Sequence, residues 1–284
     1  MNTPRAAKYW VAFSIIVAVP VCRVDAQSGQ RAPVPSLQQF FQRLVNDYDP
    51  SSLPKYEDVL KVVDQISHAR PEDITKALPA ILTALAHPDD NLKRDAALAF
   101  FAISQRPDSA ALLKDQIKRI SLMFDLSDPQ LQGVPTVIFL NLKPVPPPEV
   151  LPYLLTFLKR TDRDPRAQGS AVFALIRIAP DKPEVVAAIE EFLSRPLDSS
   201  SRIGALNALG IPSVKDVHLI AIVIASLDDS DYGVRYTAVQ VLRRIGQHAV
   251  LQGQSRLQEL AGDPAQPADI RAAAREALRT IRPG

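Results

Sequence analysis

Cysteine and tryptophan each occur once in the 284-residue chain, as Cys22 and Trp10, and both fall within the first 26 residues. The rest of the sequence has no thiol to serve as a nucleophile, a thiolate metal ligand or half of a disulfide. Histidine is sparse as well. His68, His87, His218 and His248 stand far apart, no two of them a helical turn from each other, and no HExxH pattern is present. The GxxxxGK phosphate loop and the GxSxG nucleophile elbow are also missing. No stretch sustains a two-residue alternation with β-branched content, so no sheet is expected. These absences predict a chain with no catalytic residues, no bound metal and no cofactor.

A long apolar run is missing too. The chain opens MNTPRAAKYWVAFSIIVAVPVCRVDAQSG, where Arg5 and Lys8 precede an apolar stretch from Tyr9 to Val21 and a short polar segment ends in Val24-Asp25-Ala26. A bilayer core needs about 20 apolar residues, and this run is shorter and contains Pro20, so it does not read as an anchor. Its layout is that of a secretory signal peptide, residues 1–26, cleaved after Ala26. The expected mature chain is exported, periplasmic or secreted, has no membrane span, and begins with a flexible leader at 27–35. Cleavage removes Arg5, Lys8, Arg23 and Asp25, so 33 basic and 31 acidic side chains become 30 of each. A neutral chain gives no support for a nucleic-acid or acidic-membrane partner. Its 258 residues, rich in Leu, Ala, Val and Ile, suffice for a packed core without disulfides.

What the sequence does contain is a repeat. Reading three, seven and ten residues on from Arg235 gives Ala238, Leu242 and Ile245; Arg271 is followed at the same offsets by Ala274, Leu278 and Ile281. Arg202 leads Ala205 and Leu209, Gln168 leads Ala171, Leu175 and Ile178, Gln132 leads Pro135, Phe139 and Leu142, and Arg94 leads Ala97 and Phe101. Anchors at 94, 132, 168, 202, 235 and 271 recur at the period of a solenoid. Offsets of three, seven and ten share one helix face, and the small residue at the first offset admits a neighbouring helix.

Four residues before the anchors stand Asp90, Asp128, Asp164, Asp198 and Asp231, with Pro267 in the last copy. Aspartate accepts backbone N–H bonds at a helix start, and proline suits a first turn. The acidic cluster before Gly233 is therefore read as a cap. A calcium loop counted from Asp228 would place Tyr232 at the fifth position and Val239 at the closing twelfth, where oxygen ligands belong. A second apolar stretch precedes each anchored one, several opening with Pro-Glu, as at Pro71, Pro148 and Pro183. Each unit is thus a helical hairpin. The anchor arginines are expected to bond aspartates and carbonyls within and between units, stacking into a ladder.

A helix pair of this length, with a short Asp- or Pro-bearing turn followed by Arg, Ala and Leu, resembles the HEAT repeat and its HEAT-like, armadillo-type helical relatives. The resemblance covers residues 72–284. It is weakest in the second repeat, where Gln132 and Pro135 replace Arg and Ala and LKPVPPPEV makes a long connection; a local bend is expected near Pro135. It implies an all-α, right-handed α-α superhelix of about six hairpins over 71–284, and SLQQFFQRLVNDY with KYEDVLKVVDQISHA reads as a capping pair over 36–70. It also implies a non-catalytic exported scaffold that binds a protein or peptide on its concave surface. Some HEAT-like proteins are bilin lyases and some are DNA glycosylases, which gives the alternative of a lyase, chromophore-handling or enzyme accessory protein. Export, the missing cysteine and the neutral charge count against both.

The register names a binding face. Positions five after the anchors, Ala99, Val137, Phe173, Asn207, Gln240 and Glu276, point away from the buried offsets. The flanking row one after the anchors is Asp95, Gly133, Gly169, Ile203, Tyr236 and Ala272. Apolar residues left exposed by the repeat form a candidate patch, and the partner-binding residues expected are Val137, Phe173, Ile203, Tyr236, Gln240 and Arg243. The alternative is that Val137 and Phe173 are core. The basic runs LKRTDRDPR and LRRIG could attract an anion, and are read as solvated helix ends beside compensating acids.

Overall fold

The computed structural model describes residues 36–46, 64–143 and 146–281, and among these there is no strand. The expected signal peptide at 1–26 and leader at 27–35 lie outside the described residues, as does the 47–63 stretch of the N-terminal pair. The chain divides into two compact units, Met1–Val150 and Leu151–Gly284. No helix among the described residues is long and apolar enough to cross a membrane.

In the first unit, α1 (Leu37–Asn46) packs on α2 (Pro71–Leu85), and residues 64–68 are helical between them. α2 pairs with α3 (Asp90–Ser104). The stretch expected as one first helix, SAALLKDQIKRISLMF, is broken: α4 (Ser109–Leu113), a 3-10 turn, α5 (Ile117–Ser121) and a second 3-10 turn ending at Asp125. The second helix of that hairpin is divided as well, into α6 (Pro129–Gln132) and α7 (Val134–Asn141), and α7 packs beside α3. The bend expected near Pro135 sits at Gly133. Proline lacks an N–H and is best tolerated in a first turn, and here the helix ends and restarts with Pro135 in that place.

The second unit is more regular. Its first helices are α8 (Leu151–Lys159), α10 (Pro183–Leu193) and α12 (Val217–Ala225), each packed on the next. Its second helices are α9 (Pro165–Ile178), α11 (Ser199–Leu209) and α13 (Tyr232–Ile245), followed by α14 (Gln247–Gln252), α15 (Gln254–Gly262) and α16 (Ala268–Leu278). α9, α11, α13 and α16 form a second packed layer. HAVLQGQSRLQELAG was expected as one helix, yet it divides at Gly253. A Cβ there would lie 3.2 Å from Leu242 and 3.3 Å from Ile224, so the backbone comes close where a side chain would force it away.

The repeat register accounts for much of the core, although Ile178, Leu278 and Ile281 at its offsets are only half-buried. Ala171, Ala205, Ala238 and Ala274 are fully buried at the first offset, and Phe139, Leu175, Leu209 and Leu242 at the second. The first copy needs a correction. Asp89, not Asp90, caps α3, its carboxylate accepting the N–H groups of Asn91 and Leu92. Counting from Asp89 moves the buried set to Ala96, Phe100 and Ile103, all inaccessible, while Phe101 stays partly open. Two aspartates in a row made the sequence register ambiguous by one residue.

Candidate functional site

Within each unit the helix starts and the anchor side chains are held by hydrogen bonds to neighbouring turns. Asp164 accepts from the Arg166 N–H, Asp198 from Ser201, and Asp231 from Val234. Bonds to the Ser201 hydroxyl and N–H lower the Asp198 carboxyl's affinity for a proton; for Asp231 the leading cause is the Ser199 hydroxyl, from the neighbouring second helix. The anchors bond in the same turns. Arg94 donates to Asp128 at 3.1 Å, and Arg202 to the Leu197 carbonyl at 3.0 Å while its guanidinium lies 3.1 Å from Asp229. Arg235 donates to the Asp229 and Ser230 carbonyls, and Gln168 to those of Phe157, Leu158 and Arg160. Gln132 does the same to Leu126. These are bonds of the expected kind, to an aspartate or to carbonyls, at five of the six anchors, with glutamine doing arginine's work in two copies. Asp231 is engaged as a helix cap, and among the described residues no group of three or more His, Cys, Asp or Glu side chains is placed to hold a metal.

The six residues expected to bind a partner are divided between the units. Val137 lies on α7 in the first unit and is half-buried; Phe173, Ile203, Tyr236, Gln240 and Arg243 lie in the second. Phe173 and Ile203 are half-buried and Tyr236 is exposed, so neither Val137 nor Phe173 is core. Ala99, placed in the same row by sequence, is buried, as the one-residue register shift requires; Leu98 takes its place, half-open. Gly169 in the flanking row is buried as well, with the α11 backbone 3.7 Å from where its Cβ would be.

In the second unit the open apolar row spans both register rows on three adjacent helices: Phe173 on α9, five after its anchor, and Ile203 on α11 and Tyr236 on α13, one after theirs. Tyr236 stacks on Tyr232 with ring centroids 6.2 Å apart, and the Tyr232 hydroxyl donates to Asp269. One turn beyond Phe173, the Arg177 guanidinium lies over its ring at 5.6 Å. Gln240 stands one turn beyond Tyr236, and Arg243 pairs with Glu276.

Arg244, expected at a solvated helix end beside an acid, instead meets an amide and a glycine. It reaches back across α11 to donate to the Asn207 side chain at 2.6 Å, and its guanidinium lies flat on Gly210, where an added Cβ would come within 2.9 Å. Burial and the neighbouring Arg243 weaken its hold on its proton. Its signal in the sequence was the pairing of Arg244 with a glycine one unit earlier, visible only once the register is known. The other basic run is compensated as expected: Arg160 pairs with Asp162, whose carboxyl is pulled down to about 2, and Arg195 donates to the Arg160 carbonyl.

No family model and no curated protein matches the sequence. Solved structures do align with it. An engineered protein is 19% identical, with 87% of this chain and 68% of its own covered, at a TM-score of 0.45. A designed armadillo repeat protein in complex with the peptide (KR)4 is 14% identical over 87% of this chain and 100% of its own, at 0.44. A computationally designed armadillo repeat protein for modular peptide recognition is also 14% identical, over the same shares, at 0.37.

Proposed function

We propose that the chain is a non-catalytic, exported scaffold that binds a protein or peptide on the second-helix face of its Leu151–Gly284 unit. The observation that carries this is the open row Phe173, Ile203 and Tyr236. A large apolar side chain stands partly open on each of three successive second helices, Phe173 one turn further along its helix than Ile203 and Tyr236 are along theirs, at positions that the repeat does not need for its own core. An aromatic ring keeps most of its surface available for burial and loses little side-chain freedom on binding, which makes such residues effective anchors. Export rests on the sequence alone, on the basic residues, the short apolar run and Ala26.

Two measurements test the reading. A displayed library of random peptides is selected on the purified mature protein, and the enriched binders are retested on Phe173→Asp and Ile203→Asp variants. Loss of binding with an unchanged melting curve is expected; binders indifferent to both changes would place the site elsewhere. N-terminal sequencing of protein recovered from its own host tests export, with Gln27 the expected first residue.

A further inference from the structure

The net charge of +2 conceals a segregation of charge between the two helix layers of the second unit. α9, α11 and α13 contain Arg166, Arg177, Arg202, Arg235, Arg243 and Arg244, with no aspartate, glutamate or lysine. The first-helix layer holds the opposite excess: Glu184, Glu190, Glu191 and Glu259 against Lys159 and Arg256. Arg202 and Arg235 are turned back into the turns, the charge of Arg166 acts on the Asp198 carboxylate, and Arg243 is paired with Glu276. Among the described residues, Arg177 and Arg244 have no carboxylate partner: one rests on the Phe173 ring, the other on Asn207 and Gly210. Each stands one helical turn from the open apolar row, Arg177 beyond Phe173 and Arg244 at Asn207, four residues past Ile203.

A cation in the last turn of a helix interacts favourably with the backbone dipole, which explains charge at those places on α9 and α13. It does not explain why the matching acids are absent from three neighbouring helices, nor why an arginine crosses to an adjacent helix to lie on glycine. Resting on the reading of this face as a docking surface, we infer that its occupant is an acidic peptide whose carboxylates meet Arg177 and Arg244 while its apolar side chains meet Phe173, Ile203 and Tyr236. Guanidinium groups take carboxylates in a bidentate fork, and arginine stacked on a ring or a backbone keeps that fork presented.

The spacing of the helices sets the peptide's period. Packed helices lie about 8–10 Å apart, and a polyproline-II chain returns the same face every three residues, about 9 Å along. An apolar residue at every third position, with acids between, therefore matches one anchor per helix. Nucleic acid fits less well. Arg202, Arg235 and Arg243 are already engaged within the repeat, these helices have no lysine, and Asp269 and Glu276 close one end of the row.

Fluorescence anisotropy on the mature protein tests this with four labelled probes: a peptide repeating Leu-Glu-Asp, its charge-reversed Leu-Lys-Arg form, an uncharged Leu-Gln-Ser form, and a single-stranded oligonucleotide. The acidic peptide is expected to bind at least tenfold tighter than each of the others, and the preference to shrink as salt is raised. Arg177→Glu with Arg244→Glu should remove that preference, and Arg177→Lys with Arg244→Lys should keep its sign at reduced size; circular dichroism checks that all variants stay folded. Equal binding of the three peptides, or preference for the basic one, overturns the acidic occupant but leaves the docking face standing. Tighter binding of the oligonucleotide replaces the proposal with nucleic acid. If no peptide binds, both the occupant and the docking face fall.

Discussion

The second helix of a hairpin is built in two ways in this molecule. In the second unit, α13 runs unbroken from Tyr232 to Ile245, capped by Asp231 and tied at Arg235 to the carbonyls of the preceding turn. In the first unit the same slot is filled by α6 and α7, where Gln132 reaches the Leu126 carbonyl and the chain breaks at Gly133 before Pro135. Both bury an offset-seven residue fully, Leu242 in one and Phe139 in the other. The core position is thus the same in kind while the local helix signals differ. Tertiary burial holds the slot; cap, anchor and small residue decide whether the helix through it is continuous. The surfaces differ as well. α7 carries no charged residue, whereas α13 carries three arginines and no acid.

The largest effect tests the shared part. Phe139→Ala should cost about 3–5 kcal/mol and Leu242→Ala about 2–5 kcal/mol, because each leaves a cavity in a fully buried place. Chemical denaturation with the two variants side by side measures both. A much smaller loss for Phe139 would show that the broken helix closes over the void, and that the two slots are not equivalent.

Next in size comes a pH effect confined to the first unit. Burial pushes the Asp95 carboxyl on α3 up from 3.8 to about 6, against the opposing influence of Arg94. The folded state then holds this proton more tightly than the unfolded chain does. Stability falls as pH rises from about 4 through 6, and the loss is complete above that. The full gap corresponds to at most about 3 kcal/mol, and discounting for residual solvent leaves about 1 kcal/mol. Asp95→Asn should raise Tm at pH 7 and flatten the Tm profile between pH 4 and 6. An unchanged slope would mean that water reaches the carboxyl freely.

Most of the fold was legible because one periodicity repeats. A helix period at fixed offsets, with a small residue and a cap, specifies hairpin, face and core together, so Ala171, Ala205, Ala238 and Ala274 with Leu175, Leu209 and Leu242 were readable in advance as core. Breaks were harder to read. Gly253 interrupts an otherwise plausible helix because Leu242 and Ile224 approach it from other helices, and no window of local sequence contains that fact. The site was half-legible on the same grounds. Register identified Phe173, Ile203 and Tyr236 as open positions, but Arg244 is recruited to α11 across 37 residues of sequence by Asn207 and Gly210. In the first copy the doubled aspartate misled the register. Asp89→Ala should cost about 1 kcal/mol in a thermal melt, as loss of a cap does, and Asp90→Ala should cost less. The reverse order would restore the register read from Asp90.

The smallest stability effect is expected where binding depends most on the side chain. Phe173 lies half-open on α9, touched by Arg177 from its own helix, and fills no closed part of the core. Replacing it with serine gives up a partial burial and one cation–π contact, about 1 kcal/mol or less. Phe139 and Phe173 are the same residue type on second helices of the two units, so Phe139→Ala and Phe173→Ser measured under one set of conditions compare a ring the core needs with a ring the core leaves over. A loss at Phe173 approaching that at Phe139 would make it a packing residue and remove the middle of the open row. A loss within the error of the melt, together with reduced affinity for an acidic peptide, would separate the two roles of aromatic residues in this repeat.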